Sequence, residues 1–279
     1  MERDARGDRG KIIEHFIKFL CISLVVDDTH CDLIRAMDIS KILNDWPFDP
    51  LTVSARVIHG EDGRKLIQMR VDLGLIQMEY EGRPDGLRPE GYESYLDHYR
   101  ALAATDKEFA LDPRQSFNLR QEGMQYYHRY LSLHQLKDYH GVIRDTRHNL
   151  DILNIIANHA GSVENITSQQ HRPYVMMMNT SAKTMLKLEA NEKVEALRIL
   201  KAGVRQIKHV YKNVLDDPQP DLSPEIFQLR ELQHRITDDG VPTELPTQEK
   251  LEIELQMALL SENYEEAAIL RDQIARISK

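Results

Sequence analysis

The chain has 279 residues, 29% of them charged and 41% hydrophobic, with a net charge of −9. This is the balance of a soluble globular chain, long enough for two domains or one extended helical array, and its sign argues against nucleic-acid binding by the surface as a whole. The two cysteines, Cys21 and Cys31, form no CxxC, so a reducing, cytoplasmic setting is the expectation.

Residues 1–36 stand apart. MERDARGDRGK is charged, and Ile12 to Val26 is apolar at near-helical spacing. That run is too short to span a bilayer and carries Glu14 and Lys18, so no membrane role is expected. Asp27 and Asp28 follow it, rather than a small-x-small cleavage site. Residues 1–36 read either as a peripheral amphipathic helix or as an extension, with the working protein then starting at Met37, where coherent patterning begins.

Residues 37–91 read as a small α/β element. DISKILNDWPFDP predicts a short helix stopped by Pro47 and Pro50. Thr52 to His59 alternates as a strand through Val53, Ala55 and Val57, and Gly60-Glu61-Asp62-Gly63 is a turn signal. Arg64 to Tyr80 continues as antiparallel strand, with LIQM occurring twice (66–69 and 75–78). Gly74 sits where a bulge or bend would switch register. Residues 82–91 are a Gly- and Pro-rich loop. Gly60, Gly63, Gly82 and Gly86 lack the following helix and the Lys-Ser/Thr of a phosphate-binding loop, so they read as turn formers.

Residues 92–237 read as a body of helical hairpins. Tyr92–Leu102 is a first amphipathic piece, then Leu119–Leu136 and Tyr139–Ala160 pair across Lys137-Asp138. Gly161–Arg172 reads as a polar connection, and Pro173 suits the first turn of a helix. Val175–Leu188 and Val194–Val214 form a second pair, and Leu222–Thr237 carries Ile226, Leu229, Leu232 and Ile236 on one stripe. Tight turns precede Tyr139, Lys193 and Tyr264, each followed by small or branched residues. This loosely resembles the tetratricopeptide (TPR) hairpin, although the spacing from Tyr139 to Lys193 exceeds the ~34 residues of that repeat. Neighbouring hairpins would still stack, each covering the next one's apolar face.

Residues 238–248, DDGVPTELPTQ, read as a linker, and 249–279 as an antiparallel helical hairpin. Its first helix aligns Leu251, Leu255, Ala258 and Leu259; after Ser261-Glu262-Asn263, its second turns Tyr264, Ala267, Ala268, Arg271, Ile274 and Ile277 toward the first. The spacing Tyr264-Glu265-x-Ala267-Ala268-x-x-Arg271-Asp272-x-Ile274 resembles the UvrB/UvrC motif (UVR domain) of bacterial repair proteins. That resemblance implies a protein-docking hairpin, with Leu251, Leu255, Ala258, Tyr264, Ala267, Ala268, Arg271, Asp272 and Ile274 as its contact residues. It also implies partners such as UvrB- or UvrC-like proteins, a second copy, or a protease chaperone. The chain from Asp38 onward is similar to bacterial proteins that carry this motif, through Trp46-Pro47-Phe48, DLGLIQME (72–79), GRPDG (82–86) and RPYVMM (172–177). A hairpin of some 30 residues buries too little to be secure alone, so its apolar face must meet another surface.

No catalytic pattern emerges. His128, His134 and His140 are six apart and do not share a helical face, and neither HExxH nor GxSxG occurs. Asp145, His148 and Asp151 share a helix, but Arg144 and Arg147 beside them suggest a surface ion-pair network. Met176–Met178 reads as core packing. From Arg120 to Lys212 there are 14 Lys and Arg against 8 Asp and Glu, and from Glu249 onward 4 against 7. Arg198, Lys201, Arg205, Lys208 and Lys212 form a basic stripe suited to an acidic partner, the chain's own acidic tail included, or to a nucleic-acid backbone. The expectation is a mostly α (α+β) protein: a small N-terminal antiparallel sheet, a helical-hairpin body and a C-terminal UVR hairpin. It would act as a non-enzymatic adaptor without cofactor or metal. The alternatives are an accessory factor of nucleotide-excision repair that contacts DNA, or a regulator of a stress protease.

Overall fold

The computed structural model describes residues 38–216, 219–237, Leu251, Leu255 and 264–277. The N-terminal extension (1–36), the linker (238–248), Ala258 and the Ser261–Asn263 break lie outside the described residues. The chain divides into two units, residues 1–47 and 48–279. In the first, Ser40–Asn44 forms a helix, α1, whose start is bracketed by the Asp38 carboxylate accepting from the Ser40 amide (2.9 Å) and hydroxyl (2.6 Å).

In the second unit, β1 (Ala55–His59), β2 (Lys65–Val71) and β3 (Gly74–Glu79) form an antiparallel sheet in that order. The duplicated LIQM explains the register. Its two copies pair across β2 and β3, with Ile67 opposite Met78, Gln68 opposite Gln77 and Met69 opposite Ile76. Because side chains alternate, the four apolar residues share one face and the two glutamines the other. The Gln68 amide donates to Gln77 at 2.9 Å and accepts from Arg56 at 2.9 Å. Gly74 does not mark a bulge. It pairs directly with Val71, so the strand reverses over Asp72-Leu73. The Arg70 guanidinium holds that turn by donating to the carbonyls of Val71, Asp72 (3.1 Å) and Gly74 (2.9 Å).

The helices are α2 (Tyr95–Thr105), α3 (Pro113–Gln135), α4 (Tyr139–His159), α5 (Ser162–Gln169), α6 (Arg172–Glu189), α7 (Lys193–Asn213), α8 (Pro224–Thr237) and α9 (Tyr264–Ile277). The long helix α3 starts six residues earlier than its apolar run suggests. Asp112 and Gln115 form a reciprocal capping box with Pro113 in the first turn, which satisfies two otherwise orphaned amides. The expected polar connection after Gly161 is in fact helical: α5 lies there, pinned to α4 by the Gln169 amide donating to the Leu153 carbonyl at 2.9 Å.

The two hairpin turns share one device. Lys137 (φ 59°) and Asn191 (φ 59°) take the left-handed conformation just past α3 and α6. The next amide then donates back to the carbonyl five residues earlier, Asp138 to Leu133 (2.9 Å) and Glu192 to Lys187 (2.8 Å). Successive helices stack: α4 lies against both α3 and α6, α6 against α7, and α8 against α6 and α7. One core runs through the stack from Ile67 and Met78 of the sheet, past Tyr130, Leu133 and Met177, to Leu200, Ile207, Ile226 and Leu229. A second gathers Leu96, Tyr99 and Leu119 with Ile152, Ile155 and Ile156 under α2. Met177 and Met178 are core residues, and Met176 packs at the edge of the core.

Candidate functional site

The charged residues of α4 do not converge on a reaction centre. Asp145 and Arg129 are both fully buried, and the Arg129 guanidinium grips the carboxylate through two bonds of 2.7 and 2.9 Å. Arg129 also donates to the Glu79 carbonyl (3.0 Å), and Arg144 donates to Asp145 (2.8 Å), the Tyr80 carbonyl (3.1 Å) and Glu81 (2.6 Å). Two arginines of the helical body thus clamp the end of β3, and the ion pairs expected at the surface include a buried one. His148 turns elsewhere, to the fully buried Glu122 at 2.9 Å, with its ring stacked on Tyr126 at 3.8 Å. Glu122 also accepts from the first amides of α2, Tyr95 (2.8 Å) and Leu96 (3.2 Å). Asp151 pairs with Arg100 at 2.9 Å. Three acidic or basic groups that share a helix therefore serve three separate joints. His128 and His134 are half-buried, and burial lowers the pKa of both. Among the described residues, no three His, Cys, Asp or Glu side chains stand close enough to hold a metal ion, and no helix is long and apolar enough to cross a membrane.

The basic stripe lies on α7, with Leu197, Val204 and Tyr211 packed inward. Arg198 is held by Glu195 at 2.6 Å and Lys208 by Asp221. Lys201, Arg205 and Lys212 are exposed and make no ion pair among the described residues. The stripe borders an open groove of about 570 Å³ between α4, α6 and α7, lined by Arg147, Arg172, Lys183 and Arg198 and by the carboxylates Asp151 and Glu195. Burial, and then the Arg147 charge, lowers the Lys183 pKa. Arg172 also lines this groove and is held only by neutral amides, Gln169 (2.5 Å) and Asn154 (2.9 Å).

At the C-terminus the structure corrects the face of the second helix. Ala268 and Arg271 are exposed rather than turned inward, and Arg271 pairs with its neighbour Asp272 at 2.8 Å. Leu270 is the buried residue, 7% exposed, and Leu251 and Leu255 pack against it. These three leucines form a cluster of their own, distinct from both clusters of the body. Residues 248–279 match the family model of the UvrB/uvrC motif. No curated protein and no solved structure matches the chain. In UvrB and UvrC the motif is an interaction module.

The UVR hairpin therefore has two unlike sides. Its inner side closes on Leu251, Leu255 and Leu270, and Ile274 is half-buried. Its outer side carries Ala268, the Arg271–Asp272 pair and Ile269, which is 59% exposed. Leu270 and Ile269 were absent from the expected contact set. The signal that could have found Leu270 is its i, i+4 spacing to Ile274.

Proposed function

We propose that this protein is a non-enzymatic adaptor that docks a protein partner through its UVR hairpin while the helical body holds a second one. Ile269 carries the reading: a branched apolar side chain stays open on a motif whose inner leucines are already satisfied. What gives that open side chain weight is its place within residues 248–279, which match a motif that is an interaction module in UvrB and UvrC. The partner would be another UVR-type hairpin, from a UvrB- or UvrC-like protein or a second copy, or a protease chaperone, which places a stress-protease regulator within the same reading. Affinity capture with the full chain, and with residues 249–279 removed, tests it. Ala268→Asp with Ile269→Asp should lose the proteins that truncation loses, and the far-UV CD of the body should persist. A protein set unchanged by either alteration ends the adaptor reading.

A second reading has one observation in its favour: Lys201, Arg205 and Lys212 are exposed, make no ion pair among the described residues, and run beside the groove that holds Arg147 and Lys183. A row of cations one turn apart can follow a phosphate backbone and would serve an accessory role in DNA repair. Lys201, Arg205 and Lys208 all changed to Glu should abolish DNA binding and its salt dependence. Absence of salt-sensitive binding by the native chain at low ionic strength removes this reading.

A further inference from the structure

A groove of about 600 Å³ opens between α3, α4, α5 and α6. Tyr127, Tyr130 and Tyr174 line it with Leu119, Ile152 and Val175. Its charged or titratable lining residues, Arg120 and His171, are exposed. This volume and this lining suit a small-molecule site. Three further observations point to an occupant. The side-chain oxygen of Asn149 and the hydroxyl of Ser168 both line the groove, are buried (7% and 3% exposed), and have no hydrogen-bond partner among the described residues. An unpaired buried polar atom is costly. The Asn149 amide nitrogen donates to the Gly123 carbonyl at 3.0 Å and lies within reach of the Tyr130 phenol, so the side-chain oxygen is the acceptor left open on the groove. Burial pushes the Tyr174 phenol up to about 12 and the Tyr130 phenol higher still, so both stay neutral.

The third observation is Gly123 itself, inside α3 and in the groove lining. Glycine weakens a helix interior, and the helical glycines Gly141 and Gly203 are explained by packing: a Cβ there would meet atoms at 2.8 and 2.4 Å. At Gly123 a Cβ would make only ordinary contacts, 3.6 Å to the Asn149 oxygen and 3.8 Å to Ile152. Packing does not require this glycine, yet any side chain there would cover the unpaired acceptor.

We propose that this groove binds a neutral, ring-bearing small molecule that donates a hydrogen bond to the Asn149 side-chain oxygen. Aromatic walls favour a planar body, the uncharged interior favours a neutral one, and the Ser168 hydroxyl offers a donor to an acceptor on the same molecule. The inference does not depend on the adaptor reading.

Calorimetric titration of the full chain with indole and with 1-methylindole tests it, because the two probes differ in the N–H. Indole should bind at least tenfold more tightly. Gly123→Ala should weaken indole at least tenfold in a chain no less stable than the native one, so that lost binding is not lost folding. Asn149→Leu should erase the difference between the probes while leaving 1-methylindole binding. Equal affinity for both probes, no saturable binding of indole, or full binding by Gly123→Ala would each overturn the proposal.

Discussion

Gly203→Ala should destabilise the helical body, against the usual sign of Gly→Ala inside a helix. Alanine gains about 1 kcal/mol over glycine in an exposed helix interior. At Gly203 the added Cβ would stand 2.4 Å from Thr180 Cγ2, 2.6 Å from its hydroxyl and 3.0 Å from its Cβ. Thr180 is buried and β-branched, so any χ1 rotation leaves at least one heavy atom facing α7. Relief then requires α6 and α7 to separate along an interface whose core includes Leu200 and Ile207. Overpacking of this kind costs about 1–3 kcal/mol, which set against the propensity gain leaves a net loss of up to about 2 kcal/mol. Urea unfolding followed by far-UV CD should show a lower midpoint at unchanged slope. Thr180→Ala removes both closest atoms, so the double variant should recover most of the loss relative to Thr180→Ala alone. Gly123→Ala, where contacts are ordinary, should instead stabilise by about 0.5–1 kcal/mol. If Gly203→Ala matched Gly123→Ala in sign, the close approach of α6 and α7 would be refuted.

Arg129→Met should cost about 3–5 kcal/mol in urea unfolding, because it strands the Asp145 carboxylate in the core; a smaller loss in Arg129→Met with Asp145→Asn would assign the cost to that stranded charge. Asp138 gives a pH-dependent case: burial alone would raise its pKa, but the Tyr80 hydroxyl, the Gly141 amide and the Arg144 charge together hold it below the ordinary value. A carboxylate with a lowered folded pKa contributes stability that is present above the unfolded value, about 3.9, and is lost as pH falls through the folded one. Asp138→Ala should therefore cost about 1 kcal/mol near neutrality as a lost helix cap, and the gap to the native chain should close under strong acid. His128 and His134 act in the same direction but at higher pH, since burial lowers them and the unfolded chain takes up protons first. Stability should fall as pH drops below about 6.5, and His128→Gln with His134→Gln should flatten that slope in urea midpoints measured across pH.

The repetitive features of this fold were legible because periodicity and turn chemistry are local. The LIQM pair, the turns before Tyr139 and Lys193, and the stripe Ile226, Leu229, Leu232, Ile236 all appear where spacing alone places them, with Leu232 the half-buried member. The errors arise where a distant partner decides. The start of α3 is set by the capping box Asp112–Gln115, a polar signal upstream of the apolar run. Asp145 reads as a surface residue beside Arg144 and Arg147, but Arg129, on the preceding helix, removes it from solvent. In α9, small residues suggested a close approach through Ala268, whereas Leu251 and Leu255 select Leu270. Ile269, Leu270 and Ile274 are spread around α9, so its apolar pattern tolerates more than one choice of inner face.

A groove is harder to read from sequence than a core because it is defined by contacts that are not made. Tyr127, Tyr130 and Tyr174 look like ordinary interior residues in the sequence, and Asn149 and Ser168 like ordinary polar ones. Only the spacing of α3, α4, α5 and α6 reveals that they share one space. Gly123 is the partial exception. Inside a helix that is otherwise well capped and long, a glycine lowers stability without terminating anything. Such a residue has either a packing reason or an open space to keep, and the contacts of a Cβ separate the two. At Gly203 and Gly141 that test returns packing; at Gly123 it returns only ordinary contacts, beside an acceptor unpaired among the described residues. Stability forgone at one helical position, with no steric reason for it, is the kind of local inconsistency that marks functional sites.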